Sequence, residues 1–175
     1  MSRESAQLFC SILTVCVLAG TLALIACRLF SRRYQGPAAA TAALAPYALP
    51  LAATIAVASI VGSLYFSEVA HYLPCNLCWY QRIAMYPLGV ILVIASVRRD
   101  RLVGVYVVPL AAAGAAIALY HTLLERFPNL DAGFCSVQVR CDVVYFERFG
   151  FVTFPFMSLT AFIAVITLTT LPDEE

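Results

Sequence analysis

Five long apolar segments run through this chain, and each is long enough to cross a membrane as a helix. A spanning helix needs about 20 mainly apolar residues, because each residue adds about 1.5 Å and the hydrocarbon core is about 30 Å thick. We predict spans at 5–26, 47–67, 78–97, 102–124 and 149–171. Strands are excluded because their lipid-exposed edges would leave backbone groups unpaired. The predicted fold class is therefore all-α.

These spans predict an integral membrane four-helix bundle with one additional N-terminal transmembrane helix. The additional helix occupies 1–30, a cytoplasmic linker 31–46, the four-helix domain 47–171 and a tail 172–175. The chain is 62% hydrophobic and 12% charged, whereas soluble domains are about 45–50% apolar and about 25% charged. Its arginines form no basic patch or stripe, which argues against nucleic acid as a partner. We expect membrane lipid to surround most of the chain.

Seven cysteines divide into two groups. Cys10, Cys16 and Cys27 fall in or at the end of the first span, where thiols usually pack as small apolar groups. The other four form two pairs, at 75 and 78 and at 135 and 141, within predicted loops at 69–78 and 125–148. Two spans separate the pairs, so both must face the same side of the membrane.

Redox chemistry indicates more clearly than charge which side of the membrane the cysteine loops face. With the cysteine loops outside, the inner loops hold six arginines and the outer side five, a small difference under the positive-inside rule. Disulfides persist outside the cytoplasm, so we expect both pairs to face outward.

A competing interpretation concerns the end of the first span. The sequence 24–27, Leu-Ile-Ala-Cys, resembles the cleavage box of a bacterial lipoprotein signal. Cleavage would put Cys27 outside and both cysteine pairs in the cytoplasm. That outcome conflicts with the redox expectation, and no strongly basic segment precedes the apolar run.

The first pair forms a C-x-x-C motif at the predicted start of a helix. A helix N-terminus stabilises a thiolate, the reactive form of the sulfur, and Cys78 is the thiolate that we favour. Arg82 lies four residues further on and shares a helix face with Cys78, where it adds a positive charge. A charge inside a span usually marks function, although an arginine can also extend to the interface.

Two structural interpretations of the four cysteines remain open. Four thiolates could hold zinc, although the spacing between Cys135 and Cys141 is unusual for a zinc site. Two structural disulfides could instead brace the loops. Such short loops gain little from bracing, which favours a redox-active C-x-x-C pair.

The segment 74–82, Pro-Cys-Asn-Leu-Cys-Trp-Tyr-Gln-Arg, resembles the DsbB family of disulfide bond formation proteins. The resemblance includes 64–68, 85–87, 120–122, 149–151 and 155–156, so it extends over roughly 47–171. The short spacing from Cys135 to Cys141 is similar to that in the Gram-positive branch of the family. The first span has no counterpart in the four-helix family pattern.

The resemblance implies an electron relay in a bacterial cytoplasmic membrane, with the active cysteines facing the periplasm or cell exterior. A thioredoxin-like, DsbA-like oxidase would form a mixed disulfide with Cys135, with Cys141 as its companion. Electrons would pass to Cys75 and Cys78 and then to a membrane quinone, ubiquinone or menaquinone. No metal is implied.

The resemblance also implies a quinone site. Arg82 matches the family arginine that helps to hold the quinone, and His121 matches a histidine near the ring. Phe146 falls where the family often has an aromatic residue, and Glu68 is a candidate for a proton route. From the residues alone, His121 and Glu68 would more often be interfacial side chains.

Two other functions remain as alternatives. A vitamin K epoxide reductase-like quinone reductase also has four helices and two cysteine pairs, but its C-x-x-C pair follows the loop pair, the reverse of the order here. A non-enzymatic membrane scaffold with structural disulfides is the second alternative.

Overall fold

The computed structural model describes residues 3–31, 35–131, 133–135 and 139–171. Within them the chain forms helices α1 (Arg3–Ser31), α2 (Gln35–Leu44), α3 (Ala48–Leu64), α4 (Asn76–Arg98), α5 (Gly104–Arg126) and α6 (Phe154–Thr169). Short 3₁₀ turns lie at Ala45–Tyr47, Arg101–Val103 and Pro128–Leu130, and a π-helical turn lies at Tyr65–Val69. The described residues contain no strand beyond one isolated bridge, so the predicted all-α fold is confirmed.

Four helical stretches among the described residues are long and apolar enough to cross a membrane. They are Arg3–Phe30, Ala39–Val69, Asn76–Arg98 and Gly104–Arg126, which correspond to the first four predicted spans. The fifth predicted span contains α6, an apolar helix of 16 residues that is about 24 Å long.

The fifth helix begins later than predicted, at Phe154 rather than at 149. Phe149 and Gly150 have φ values of 55° and 76°, in the left-handed region, and they turn the chain back on itself. Arg148 and Val152 close this turn with two backbone hydrogen bonds of 2.9 and 3.0 Å. Pro155 then occupies the first turn of α6, where its missing N–H costs no hydrogen bond. Hydrophobicity alone did not distinguish this turn from a helix.

The predicted linker at 31–46 includes a helix. Residues 35–44 form α2, which packs against α1, and a 3₁₀ turn connects α2 to α3. Residues 32–34 of the linker, and the tail at 172–175, lie outside the described residues.

Helices α3 to α6 share one core of closely packed small and aliphatic side chains. Ala52 and Ala56 of α3 and Leu88 and Leu92 of α4 are fully buried. A Cβ atom on Gly114 of α5 would overlap the ring of Phe162 of α6. Small residues allow such close approach of helices in lipid, where helix packing depends on van der Waals contact.

Both cysteine pairs lie at one end of this bundle, which we call the cysteine end. It contains the start of α4, the end of α5 and the loop before α6, and residues 75, 78, 135 and 141 belong to one packed cluster there. This proximity agrees with the prediction that both pairs face the same side of the membrane because two spans separate them. Arg28 near the end of α1 and Thr170 just after α6 lie at the opposite end of the bundle, where their side chains form a 2.8 Å hydrogen bond.

Candidate active site

Cys75 and Cys78 sit at the first turn of α4. Cys75 is the N-cap residue, and its sulfur accepts a hydrogen bond from the backbone N–H of Cys78 at 3.3 Å. The two Sγ atoms are 2.8 Å apart and are not bonded. The pair is therefore a dithiol whose sulfurs are in contact and need only a small movement to close into a disulfide.

Cys135 and Cys141 form a disulfide in the loop before α6. Cys141 is only 2% exposed, whereas Cys135 is partly exposed. The loop is tied to the start of α4 by a hydrogen bond of 3.0 Å from the Asn76 amide to the carbonyl oxygen of Phe134. A thiol reagent from solution would thus reach Cys135 more easily than Cys141.

Charge is also present beside this disulfide. The guanidinium of Arg140 pairs with the carboxylate of Asp142, and this ion pair lowers the pKa of Asp142. Both residues flank Cys141 in the chain. The loop pair is therefore bordered by an ion pair at the protein surface.

His121 of α5 lies between the two cysteine pairs. Its Nε2 atom is 3.1 Å from the backbone carbonyl oxygen of Cys141 and 3.7 Å from Sγ of Cys75. The side chain is 4% exposed, so its ring is held in the protein interior. The family resemblance implies that His121 lies near a quinone ring. The structure places His121 in contact with both cysteine pairs.

The hydrogen bonds of His121 define which nitrogen carries the proton in the neutral ring. A carbonyl oxygen can only accept, so Nε2 donates towards Cys141. Nδ1 is then free to accept from the side-chain amide of Gln81, whose nitrogen is 2.9 Å away. Gln81 is 6% exposed and lies one turn after Cys78 on α4. It therefore fixes both the orientation and the tautomer of the histidine.

The first-turn geometry of α4 favours a thiolate on Cys75, whereas the sequence favoured Cys78. The hydrogen bond from the Cys78 thiol, helped by the contact with His121, outweighs burial and lowers the pKa of Cys75 to about 4. The physical reason lies in the N-cap position. The free N–H groups of the first turn point at the residue that precedes the helix, and this residue is Cys75.

Arg82 occupies the same face of α4 as Cys78, as its spacing predicts. Its Nε and Nη2 atoms donate to the hydroxyl and the carbonyl oxygen of Ser63 on α3, at 3.0 and 3.2 Å. Its guanidinium also lies over the ring of Trp79, 5.3 Å from the ring centroid. These contacts fix the charge in place beside the cysteine pair.

A cavity of about 330 Å³ lies beside Cys78 and Arg82. Its walls come from α1, α3, α4, α5, α6, the π-helical turn and the loops at 72–75 and 140–145, and they are mainly apolar. The lining includes Cys75, Cys78, Arg82, His121 and Cys141 of the predicted site residues. A small apolar molecule with one polar end would fit a space of this size and lining.

Three of the predicted site residues do not line this cavity in the described structure: Cys135, which lies in the loop disulfide, Glu68 and Phe146. Glu68 is exposed in the π-helical turn and is hydrogen-bonded to Ser67 at 3.0 Å. Phe146 packs on the rings of Phe66 and Phe154, with centroids 6.2 and 4.6 Å away, and these two rings form the cavity wall. Phe146 thus supports the wall from behind.

Sequence reasoning missed Gln81, Ser63 and Glu125. Glu125 lies one turn after His121 on α5, lines the same cavity, and accepts a hydrogen bond of 2.6 Å from the hydroxyl of Thr153. Its spacing of four residues from His121 was a usable signal, because such residues share a helix face. Ser63 carries no such signal, since its role depends on how α3 packs against α4.

A metal ion is a further chemical possibility for three of these residues. Sγ of Cys75, Sγ of Cys78 and Nε2 of His121 lie within 4.8 Å of one another. However, Nε2 carries the proton that it directs at Cys141, and this proton would have to leave before a metal could bind. The disulfide also removes Cys135 and Cys141 from the four-thiolate zinc site that the sequence left open.

The chain matches the family model described as disulfide bond formation protein DsbB over residues 45–171. It is 43% identical over 122 residues to probable disulfide formation protein C 2 of Bacillus anthracis, a match that covers 70% of this chain and 87% of that protein. It is 46% identical over 113 residues to disulfide bond formation protein C of Bacillus subtilis, covering 64% and 82%. No solved structure gives a significant match. Both relatives come from Bacillus, in agreement with the branch that the short cysteine spacing indicated.

Proposed function

This chain belongs to the DsbB family of membrane disulfide bond formation proteins, and from that membership we propose that it oxidises an extracytoplasmic thioredoxin-like oxidase and passes the electrons to a membrane quinone. The observation that carries the proposal is that both cysteine pairs meet at His121, beside a cavity that Arg82 lines. A DsbA-like oxidase has a reduction potential of about −120 mV, so only a more oxidising acceptor can oxidise its dithiol.

The first step is an exchange at the loop pair. A thiolate of the partner attacks Cys135, the more exposed sulfur of the Cys135–Cys141 disulfide, and forms a mixed disulfide while Cys141 leaves. The second thiol of the partner then resolves this bond. The partner gains one disulfide, and Cys135 and Cys141 become thiols, so that two electrons and two protons enter the chain.

The second step moves the electrons between the two pairs. The Cys135–Cys141 dithiol reduces a Cys75–Cys78 disulfide and returns to the oxidised form. Cys75 and Cys141 are both buried and belong to one packed cluster, so the exchange takes place out of water. His121 contacts Sγ of Cys75 and the backbone carbonyl oxygen of Cys141, so its ring lies between the two pairs, where it can exchange a proton with Cys75.

The cavity fits a quinone by size and lining. Its apolar walls suit an isoprenoid substituent, and Arg82 would hold a quinone oxygen near Cys78. A quinone bound there supplies an acceptor for two electrons and two protons. Within the chain, Cys75 and Cys78 lose these electrons as they close into a disulfide, and Ser63 keeps the guanidinium of Arg82 beside them.

The protons that leave the dithiol need a group to carry them. Glu125 lines the cavity with His121 and is one helical turn away from it. We assign the proton-carrying role to Glu125 in place of Glu68, because Glu68 is exposed and lies off the described cavity lining. A proton can then pass among the thiols, His121 and Glu125.

We place the cysteine end outside a bacterial cytoplasmic membrane, because a disulfide such as Cys135–Cys141 persists there. A membrane-impermeant thiol reagent, applied to intact reduced cells, would label Cys135. Labelling only after the cells are opened would contradict this orientation.

Quinone reduction by the purified protein tests the function. With a reduced thioredoxin-like oxidase as electron donor, the wild-type protein should reduce a membrane quinone, and Cys78→Ser should not. Cys16→Ser is the matched control, because Cys16 is exposed on α1 and does not belong to either pair. Activity in Cys78→Ser, or none in the wild type, would overturn the proposal.

The scaffold alternative makes a different prediction for the same samples. Cysteines that only brace loops would stay oxidised when excess partner dithiol is added, and alkylation followed by mass measurement would show it. The vitamin K epoxide reductase-like alternative is disfavoured by the order of the pairs and by the family match over 45–171.

A further inference from the structure

Helix α1 supplies a wall of the cavity. Cys10, Leu13, Thr14 and Val17 of α1 all line it, and their spacing of three and four residues places them on one helix face. The family match begins at residue 45, so α1 lies outside the part of the chain that defines the family. One wall of the cavity therefore lies outside the family match.

Both ends of α1 are fastened to the bundle. At the cysteine end, Gln7 donates to the hydroxyl of Tyr72 at 2.8 Å and accepts from Arg148 at 3.2 Å. At the other end, Arg28 donates to the hydroxyl and the carbonyl oxygen of Thr170, each at 2.8 Å. The carbonyl groups that end α6 attract this positive charge. These bonds hold the middle of α1 against the cavity.

The packing of α1 leaves the cavity open rather than filling it. The space of about 330 Å³ between the helices is large enough for a small apolar molecule to lie against α1. The hydroxyl of Thr14 already donates a hydrogen bond of 2.8 Å to the carbonyl oxygen of Cys10, so it needs no polar partner in the cavity. The α1 wall is thus suited to an apolar group.

We infer that α1 forms part of the quinone site, where Leu13, Thr14 and Val17 contact the isoprenoid part of the quinone and separate it from lipid. This inference rests on the proposed function, and it assigns a substrate-binding role to a helix beyond the family match. Quinone affinity should then depend on α1, while exchange between the cysteine pairs should not.

Cavity-filling substitutions on α1 test this inference. Thr14→Trp, and the smaller change Val17→Phe, should each weaken quinone binding at least tenfold. Ile12→Trp is the matched control, because Ile12 is 49% exposed and lies off the described lining. Binding is measured as the quinone retained per protein after purification, and as the rise in thermal unfolding temperature with a short-chain quinone.

The outcomes separate the two ideas. Wild-type binding by both cavity variants would overturn the role of α1. A wild-type protein that neither binds nor reduces quinone would instead overturn the proposed function. Each variant must keep the Cys135–Cys141 disulfide and accept electrons from the partner at the wild-type rate, which excludes misfolding as the cause.

Discussion

The Nε2 atom of His121 lies 3.1 Å from the carbonyl oxygen of Cys141. The same atom is 3.7 Å from the sulfur of Cys75, so one imidazole contacts both cysteine pairs. An exchange between two disulfide-forming pairs requires that protons move in step with the electrons. In the proposed relay, the ring therefore lies where electrons and protons would pass between the pairs.

Replacing His121 should block the exchange between the pairs but not the entry of electrons. In His121→Phe, the partner should still reduce Cys135–Cys141, while reduction of Cys75–Cys78 should slow by about 100-fold or more, the usual range for losing a general acid–base group. Rapid quenching, alkylation and mass measurement would follow each pair separately. Equal slowing of both pairs would contradict a role confined to the transfer between them.

The hydrogen bond from Gln81 to His121 should matter through orientation. Gln81→Leu would free the ring to rotate and should slow the same exchange by about 10-fold, as expected when a supporting hydrogen bond is lost. Gln81→Asn, which keeps the amide but shortens the side chain, should be affected less. An exchange rate in Gln81→Leu equal to that of the wild type would show that Gln81 only packs.

The low pKa of Cys75 predicts an unusual acid dependence of the reduced pair. An ordinary thiol, with a pKa of about 8.5, is almost fully protonated at pH 6, whereas Cys75, with a pKa of about 4, remains a thiolate. Ultraviolet thiolate absorbance should therefore persist as the pH falls and disappear only near pH 4. The Cys75→Ser variant should lack this signal. Its loss between pH 9 and pH 8 in the wild type would be incompatible with the N-cap geometry.

Arg82 should contribute to quinone binding through its fixed charge. Arg82→Met should raise the KM for quinone by about 10-fold or more, because one charge-assisted hydrogen bond contributes about 1.5–3 kcal/mol. Arg82→Lys keeps the charge but loses the planar contacts to Ser63, so an intermediate effect is expected. A KM that does not change in Arg82→Met would remove Arg82 from the quinone site.

Glu125 and Glu68 offer a matched pair for the proton route. Glu125→Gln keeps the shape and the bond to Thr153 but cannot carry a proton, and it should lower the rate of quinone reduction about 10-fold or more. Glu68→Gln should have no effect, since Glu68 is exposed and bonded to Ser67. The reverse result would return the proton route to Glu68.

Much of the fold follows from the apolar pattern, because a membrane helix must satisfy its backbone within one segment. The start of α6 does not follow, since the turn at Phe149 and Gly150 depends on backbone geometry at apolar residues. The spacing of Cys78 and Arg82 correctly indicated a shared helix face. A helix start predicts a stabilised thiolate but not which cysteine holds it, and the free N–H groups of α4 point at the preceding Cys75.

Contacts between helices were the part that the sequence could not supply. Gln81 and His121 are 40 positions apart, and their hydrogen bond exists only because α4 packs against α5. Phe146 stacks on Phe66 and Phe154, which form part of the described cavity wall, and this arrangement also depends on tertiary packing. The contribution of α1 to the cavity likewise depends on tertiary packing.

The most direct measurement of the relay is a single anaerobic turnover of fully reduced protein. All four thiols of the two pairs are reduced, one equivalent of quinone is added, and free thiols and quinol are counted in the same quenched sample. We expect one quinol for each disulfide formed, and no quinol from the Cys78→Ser variant. Full retention of the thiols in the wild type, with the quinone left oxidised, would contradict electron transfer from the cysteine pairs to a quinone.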